Sequence, residues 1–172
     1  MYHRFVAGRV KAVFRQLNAG NYAPMVAGLA RDFDYEFYGD HALAGHRTTK
    51  AAMEAWWQRA YRLMPDVKFE LDEVLVAGWP WNTRIATSEV VNGPLPDGSL
   101  YHNRVHQFIH MRWGKITRIR TLEDTHLLMN ALDIIAGAGN DEAYAAPITD
   151  ENAAASTASA AAAAAAAATP EA

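Results

Sequence analysis

Val6, Val10, Val13, Phe14 and Leu17 recur at three- and four-residue intervals, which places them on one face of an N-terminal helix. Asn18-Ala19-Gly20-Asn21 ends that helix, and Tyr22 to Leu29 suits a short second one. The period then drops to two: Phe33, Tyr35 and Phe37 alternate with acids in a strand closed by Gly39-Asp40. Met53, Trp56, Trp57, Ala60, Leu63 and Met64 restore helical spacing, in a third helix that begins near Thr48 or Thr49 and stops at Pro65. Four strands follow, near Val67–Ala77, Asn82–Val91, Leu100–Arg112 and Lys115–Glu123. Asn92-Gly93-Pro94 and Pro96-Asp97-Gly98 mark the loop between the second and third of these, and Trp113-Gly114-Lys115 marks a tight turn before the fourth. Leu127, Leu128, Leu132 and Ile135 suggest a short closing helix.

Helices first and a long meander after them give an α+β fold, a curved antiparallel sheet wrapped around N-terminal helices. Curvature needs bulges. Phe69 and Leu71 share one parity while Val74 and Val76 share the other, so the pattern slips at Asp72-Glu73. A cone of this kind leaves a central apolar pocket at its open end.

Composition narrows the chemistry. The chain has 172 residues, 51% hydrophobic and without cysteine, enough for a real core but excluding disulfides and thiolate catalysis. No apolar run reaches the length of a membrane span, and the N-terminus lacks the pattern of a secretory signal, so a cytoplasmic protein without a membrane partner is expected. All 16 Lys and Arg lie at or before Arg120 beside 11 acids, and 8 acids without a base follow. These cations are scattered singly, which speaks against nucleic acid as a partner. From about Ala145 the sequence is low-complexity Ala, Ser and Thr. Residues 1–136 are therefore expected as one domain and 137–172 as an Ala-rich disordered tail, and deleting Ala145 to Ala172 is expected to leave stability nearly unchanged.

Candidate chemistry concentrates between Tyr101 and Asp124. On the third long strand Tyr101, Asn103, Val105, Gln107, Ile109 and Met111 share a mostly apolar face, so Asn103 and Gln107 point inward, where an amide must find a partner or a ligand. His102, His106 and His110 share the opposite face. Neighbours four residues apart stand ~13 Å from each other, too far for one zinc, and no metal site is expected. A bulge would be needed to turn His106 inward, as an acid–base partner for Asp124. Asp124 ends the last strand, where it either caps the closing helix or serves as the working acid of the pocket. Trp57, Trp79 and Trp81 together suit a flat ring system or a wedge of core aromatics. Trp56 and Trp57 are adjacent, so at most one is expected at the core centre. Arg59 and Arg84 could offer a cation to a polar substrate, but as lone arginines they are expected at the surface. There is no phosphate loop, nucleophile elbow or metalloprotease helix.

Several motifs then occur in an order and spacing that resemble the nuclear transport factor 2-like superfamily, specifically its SnoaL-like branch. They are Tyr38-Gly39-Asp40-His41-Ala42-Leu43-Ala44-Gly45-His46-Arg47, the helix with Trp56-Trp57, and Pro65-Asp66 opening a strand. Gly78-Trp79-Pro80-Trp81, Asp97-Gly98 before Tyr101-His102-Asn103, and Gly114-Lys115-Ile116 followed by Asp124 continue the series, over about Phe5 to Leu132. Ketosteroid isomerases and limonene epoxide hydrolases resemble that branch in fold. The resemblance implies a pocket for a small apolar or aromatic ligand, and commonly a homodimer. It implies Asp124 as a pocket acid, Asn103 on the substrate oxygen, and Trp57, Tyr101, Trp81, Gln107 and His106 around the substrate. His41 would lie near the pocket mouth. The implied activity is cofactor-independent acid–base chemistry, of isomerase or cyclase type, on a cyclic or polyketide-like molecule, or water activation in a hydrolytic variant. The alternative is a non-catalytic binding module of the same fold. The chain departs from the family pattern at Leu122, where many relatives carry Tyr two positions before the acid.

Overall fold

The computed structural model of the chain describes residues 1–167; the last five residues of the Ala-rich tail lie outside that range. The chain runs through α1 (Tyr2–Asn18), α2 (Ala23–Gly28), β1 (Leu29–Phe37), β2 (Gly45–Arg47), α3 (Lys50–Leu63), β3 (Lys68–Trp79), β4 (Asn82–Pro94), β5 (Leu100–Arg112), β6 (Lys115–Glu123) and α4 (Thr125–Gly137). A 3-10 turn (Asp141–Tyr144) and α5 (Ala153–Ala167) follow. The six strands form one open, curved sheet in the order β2-β1-β6-β5-β4-β3.

The meander from β3 to β6 is antiparallel as its hairpins dictate, but the sheet is mixed, because β1 pairs with β6 in parallel. Parallel pairing follows from connectivity: after β1 the chain turns back as the edge strand β2 and then crosses through α3 before the meander begins, so no hairpin joins β1 to β6. The parity slip at Asp72-Glu73 is a bulge, with the β3–β4 register shifting between Leu71 and Glu73. Further shifts fall between Leu29 and Asp34, and between His110 and Met111. Each adds twist, and together they bend the sheet over its own inner face. At the β5–β6 turn Trp113 and Gly114 both adopt positive φ, the backbone that a two-residue hairpin of this twist needs.

The helices fill the concavity. α1 lies along β3, where Asn18 acts as a peptide analogue: its Oδ1 accepts from the Phe69 N–H and its Nδ2 donates to the Phe69 carbonyl. α3 starts where the Thr49 hydroxyl accepts from the Ala52 N–H. Trp56 and Trp57 are both buried, with rings edge-to-face at 4.8 Å, so the expectation that only one reaches the core fails. The concave sheet offers a surface wide enough to receive both diverging rings. Arg59 is likewise buried rather than exposed, while Arg84 is exposed.

The segment after Gly137 departs most from expectation. Glu142 accepts from both Arg59 and Arg62, and Arg59 also donates to the carbonyls of Ala42 and Ala146. Burial works to raise the Glu142 carboxyl, but the hydrogen bonds and charge of Arg62 and Arg59 outweigh it and hold the group below the usual carboxylate range. Ile148 is fully buried against Ala52, Ala55 and Ala153. Asp150 accepts from the backbone N–H groups and the hydroxyls of both Thr48 and Thr49, clamping the start of α3. Residues 141–157 thus form a strap over α3. The Ala-rich composition hid one isoleucine and two acids that carry the docking.

Candidate functional site

Inside the cone lies a cavity of about 370 Å³. Tyr35, Phe37, Trp56, Trp57 and Phe69 form an aromatic wall, and Leu43 and Leu128 contribute to its lining. The remaining wall is the inner face of the sheet, where alternation puts every second residue inward. Successive rungs across β4, β5 and β6 read Ile85–Ile109–Ile119, Thr87–Gln107–Thr121 and Glu89–Val105–Glu123. Two carboxyl groups therefore face the same cavity, on strands separated only by Val105. Their Cα atoms stand ~10 Å apart at the usual strand spacing.

Glu123 sits in a network. Its Oε2 accepts from the Tyr101 hydroxyl at 2.9 Å and from Asn103 Nδ2 at 3.3 Å. Asn103 Nδ2 also donates to the Tyr101 oxygen at 3.0 Å and to the Asp124 carbonyl at 2.9 Å, locking the three side chains together. Both donors converge on one oxygen, and Oε1 takes no hydrogen bond among the described residues. Burial pushes the Glu123 carboxyl up to about 7, with the Tyr101 hydrogen bond pulling the other way and the charges of Asp124 and Glu89 adding to the rise. Burial raises the Tyr101 phenol as well, so it stays a donor.

Glu89 is more isolated. It is 1% exposed, its Oε2 makes no hydrogen bond among the described residues, and burial pushes it up to about 7. Trp57 Nε1, which also lines the cavity, likewise has no partner among the described residues. Gln107 Nε2 reaches Thr121 at 3.4 Å, and Tyr35 stands over the same threonine at 3.5 Å with its phenol pushed up to about 12 by burial.

A raised carboxyl is a statement about stability. The folded state holds the Glu89 proton more tightly than the unfolded chain, so the folded state suffers no penalty below about 4.5 and loses stability as pH rises through about 7. Full ionisation of one such group costs on the order of 3 kcal/mol. Burial lowers His41, which acts with the opposite sign below its ordinary 6.5. It does so in any Glu89 variant too. Glu89→Gln is therefore expected to exceed the parent in stability at pH 8, with the advantage shrinking toward pH 5. Urea unfolding at the two pH values checks this, and equal stability at both would contradict a buried, neutral Glu89.

The expected site residues scatter. Trp57, Tyr101 and Gln107 line the cavity, and Asn103, buried behind it, positions Tyr101 and Glu123. Asp124 faces out: its carboxylate is exposed and accepts from the N–H groups of His126 and Leu127, as the N-cap of α4. Asp124→Ala is accordingly expected to cost about 1 kcal/mol of stability in a chemical denaturation curve. Strand parity explains the exchange of acids. The inner positions of β6 are odd-numbered at this end, so Glu123 points in and its neighbour points away. The same parity turns Leu122 outward, opposite His106, so a tyrosine there would not reach the cavity either. Tyr101 supplies the phenol instead. His106 is exposed on the outer face, no bulge turns it inward, and Trp81 is exposed outside the cavity. His41 is buried edge-on to Phe37, with Nε2 at 3.3 Å from the Tyr38 carbonyl, and is absent from the cavity wall.

Sequence reasoning missed Glu89 and Glu123. Alternation would have found them: both occupy positions where the strand pattern demands an apolar residue. The described residues hold no cluster of His, Asp or Glu arranged for a metal ion.

Comparison with known proteins agrees with this fold. A family model described as SnoaL-like domain matches residues 10–119. No curated protein matches the chain in sequence. Among solved structures, TerC co-crystallised with polyporic acid is similar at 15% identity and a TM-score of 0.61, over 74% of this chain and 95% of that one. IdmH, a putative polyketide cyclase from Streptomyces antibioticus, is similar at 16% identity and 0.61, over 74% and 98%. An NTF2-like protein from Burkholderia xenovorans LB400 shares 25% identity with a TM-score of 0.54, over 71% and 91%.

Proposed function

Since the chain belongs to the SnoaL-like domain family, we propose that it is a cofactor-independent isomerase or cyclase acting on a flat, largely apolar ketone, with Glu123 as its base. The observation that carries this reading is the pair of carboxyl groups, Glu89 and Glu123, in one aromatic-lined cavity. Burial brings both near 7, and the charge of Glu89 disfavours ionisation of Glu123, so the two carboxyls titrate as a pair around neutrality and the working state is the one in which a single proton is held between them. That is the division of labour that proton transfer next to a carbonyl requires. Glu123 takes the proton from carbon, and the Tyr101 and Asn103 hydrogen bonds stabilise its ionised form. Glu89, protonated, donates its proton to the carbonyl oxygen as the enol forms. Delivery of the Glu123 proton to a different carbon, with the enol O–H proton returning to Glu89 as the carbonyl reforms, completes an isomerisation. Attack of the enol carbon on a second carbonyl of the same molecule forms a ring, with the enol proton again returning to Glu89 and the Glu123 proton passing to the new alkoxide oxygen. Trp57 Nε1 is a further donor for a ligand oxygen. IdmH is described as a putative polyketide cyclase and TerC was crystallised with polyporic acid, a ligand and a reaction class that suit such a cavity.

The test is deuterium exchange. The protein is incubated in D2O with a panel of cyclic and polycyclic ketones, and label at the carbon next to the carbonyl is followed by NMR. Exchange that disappears in Glu123→Gln supports the enzyme. Ligands that bind and return unlabelled in every case would leave a binding module of the same fold.

The reading includes a homodimer through the outer sheet face. Leu75, Ala86 and Phe108 form one rung there, with Leu75 57% and Phe108 54% exposed, and Leu122 lies beside them. Phe108→Asp is expected to shift the protein to monomer in analytical ultracentrifugation, with no change in helix content.

A further inference from the structure

Three tryptophans stand together in solvent where the sheet ends in its two turns. Trp79 is 62%, Trp81 52% and Trp113 71% exposed. Trp79 and Trp81 stack at 6.0 Å with their planes 8° apart, and Trp113 lies 6.2 Å from Trp81. The cluster is held in place: the Trp113 N–H donates to the Pro80 carbonyl, tying the β5–β6 turn to the β3–β4 turn. The start of α1 is fixed to the same end of the sheet by Tyr2 on Thr83 and His3 on the Gly78 carbonyl. This presents Phe5, 62% exposed, beside the turns. Phe5, Arg9, Pro80 and Gly114 also line the cavity, so the aromatic cluster borders its mouth.

The charge of this end is one-sided. Residues 1–31, 74–88 and 98–122, which supply the start of α1 and both turns, contain no Asp or Glu. They bring Arg4, Arg9, Arg84, Arg112 and Lys115 to it, all exposed. The nearest acids in register are on β1: Asp32 in its bulged stretch, and Asp34, which is engaged by Arg118, Arg120 and His46. Indoles interleaved with Arg and Lys match the headgroup layer of an anionic bilayer, where the ring is half in hydrocarbon and the cation meets lipid phosphate. A second copy of the chain is the poorer occupant, because a two-fold contact would set this cationic face against itself.

We propose that the Trp79–Trp81–Trp113 cluster and the surrounding cations dock the protein on anionic membrane surfaces, with the cavity mouth turned toward the lipid. The sequence-based expectation of no membrane partner rested on the absence of a spanning segment. Among the described residues no helix is long and apolar enough to cross, but lying on a surface requires none. An apolar ligand dissolved in the bilayer then reaches the aromatic wall without passing through water.

The test is co-sedimentation of the full chain with phosphatidylcholine vesicles with and without phosphatidylserine, together with tryptophan emission. Binding to the anionic vesicles with a blue shift is expected, weakening as salt screens the cations. The Trp79→Ser, Trp81→Ser, Trp113→Ser triple variant should lower partitioning by about tenfold or more while its far-ultraviolet dichroism stays unchanged. Should the triple variant fold poorly, Arg112→Ser with Lys115→Ser should lower anionic-vesicle binding and leave the fold intact. No sedimentation with anionic vesicles, equal binding by parent and variants, or conversion of a dimer to monomer by the tryptophan substitutions would each overturn the proposal.

Discussion

A chain cut after Asn140 is expected to lose about 3–5 kcal/mol of stability and to melt some 10–20 °C lower, although every strand and α1 to α4 remain. The loss has three sources. Ile148, 0% exposed, leaves a socket formed by Ala52 and Ala55, and re-exposing such a side chain costs about 2 kcal/mol. Asp150 no longer satisfies the four donors of Thr48 and Thr49 at the start of α3, a loss of about 1 kcal/mol. Arg59 loses Glu142, the Ala146 carbonyl and Ser156, and keeps the Ala42 carbonyl. Breaking a buried pair costs about 3–5 kcal/mol when the survivor stays dry, but the same cut uncovers Arg59 to water, so only about 1 kcal/mol, the net worth of an ordinary hydrogen bond, applies. A chain cut after Ala158 is the control. It keeps Glu142, Ile148, Asp150 and Ser156, and its melting temperature should match that of the full chain within about 2 °C. Thermal melts of both truncations separate a strap that packs from a tail that does not.

The strap shows where sequence reading stops. Periodicity located α1, α3 and the four long strands because each buries one face against the same core, and that constraint repeats every two or 3.6 residues. It also found the Asp72-Glu73 bulge, since a bulge is a break in that repeat. The strap has no repeat. Glu142, Ile148 and Asp150 act one at a time, on Arg59, on two alanines and on two threonines more than 80 residues away in sequence. The parallel pairing of β1 with β6 was hidden for a related reason, because nothing local joins the two strands. Within the site, the inner face of β5 was legible, and Tyr101 and Gln107 lie where alternation puts them. The carboxyl that faces the cavity is Glu123, one residue before Asp124, at a strand end where both an inward Glu and a capping Asp satisfy local rules. Only the parity of β6, counted back through Thr121 and Ile119, separates the two.

That one-residue distinction yields the sharpest functional contrast. Glu123→Gln should lower turnover by roughly 10²- to 10⁴-fold, the usual contribution of a positioned general base. The substituting amide has nearly the same shape, still offers one oxygen to the Tyr101 hydroxyl and Asn103, and cannot take a proton from carbon. Stability should not fall, because a buried ionisable group is replaced by a neutral one. Asp124→Asn should hold turnover within a few-fold, since its side chain faces the first turn of α4 and asparagine is itself a good N-cap. The pH profile distinguishes a base from a merely structural glutamate. With Glu123 and Glu89 both near 7, the parent should show a bell whose two limbs crowd around neutrality, the macroscopic signature of a coupled pair. Glu89→Gln should remove the alkaline limb, because the group that must stay protonated no longer titrates. A parent profile flat from pH 5 to 9, or an Asp124→Asn variant as inactive as Glu123→Gln, would move the chemistry out of this cavity.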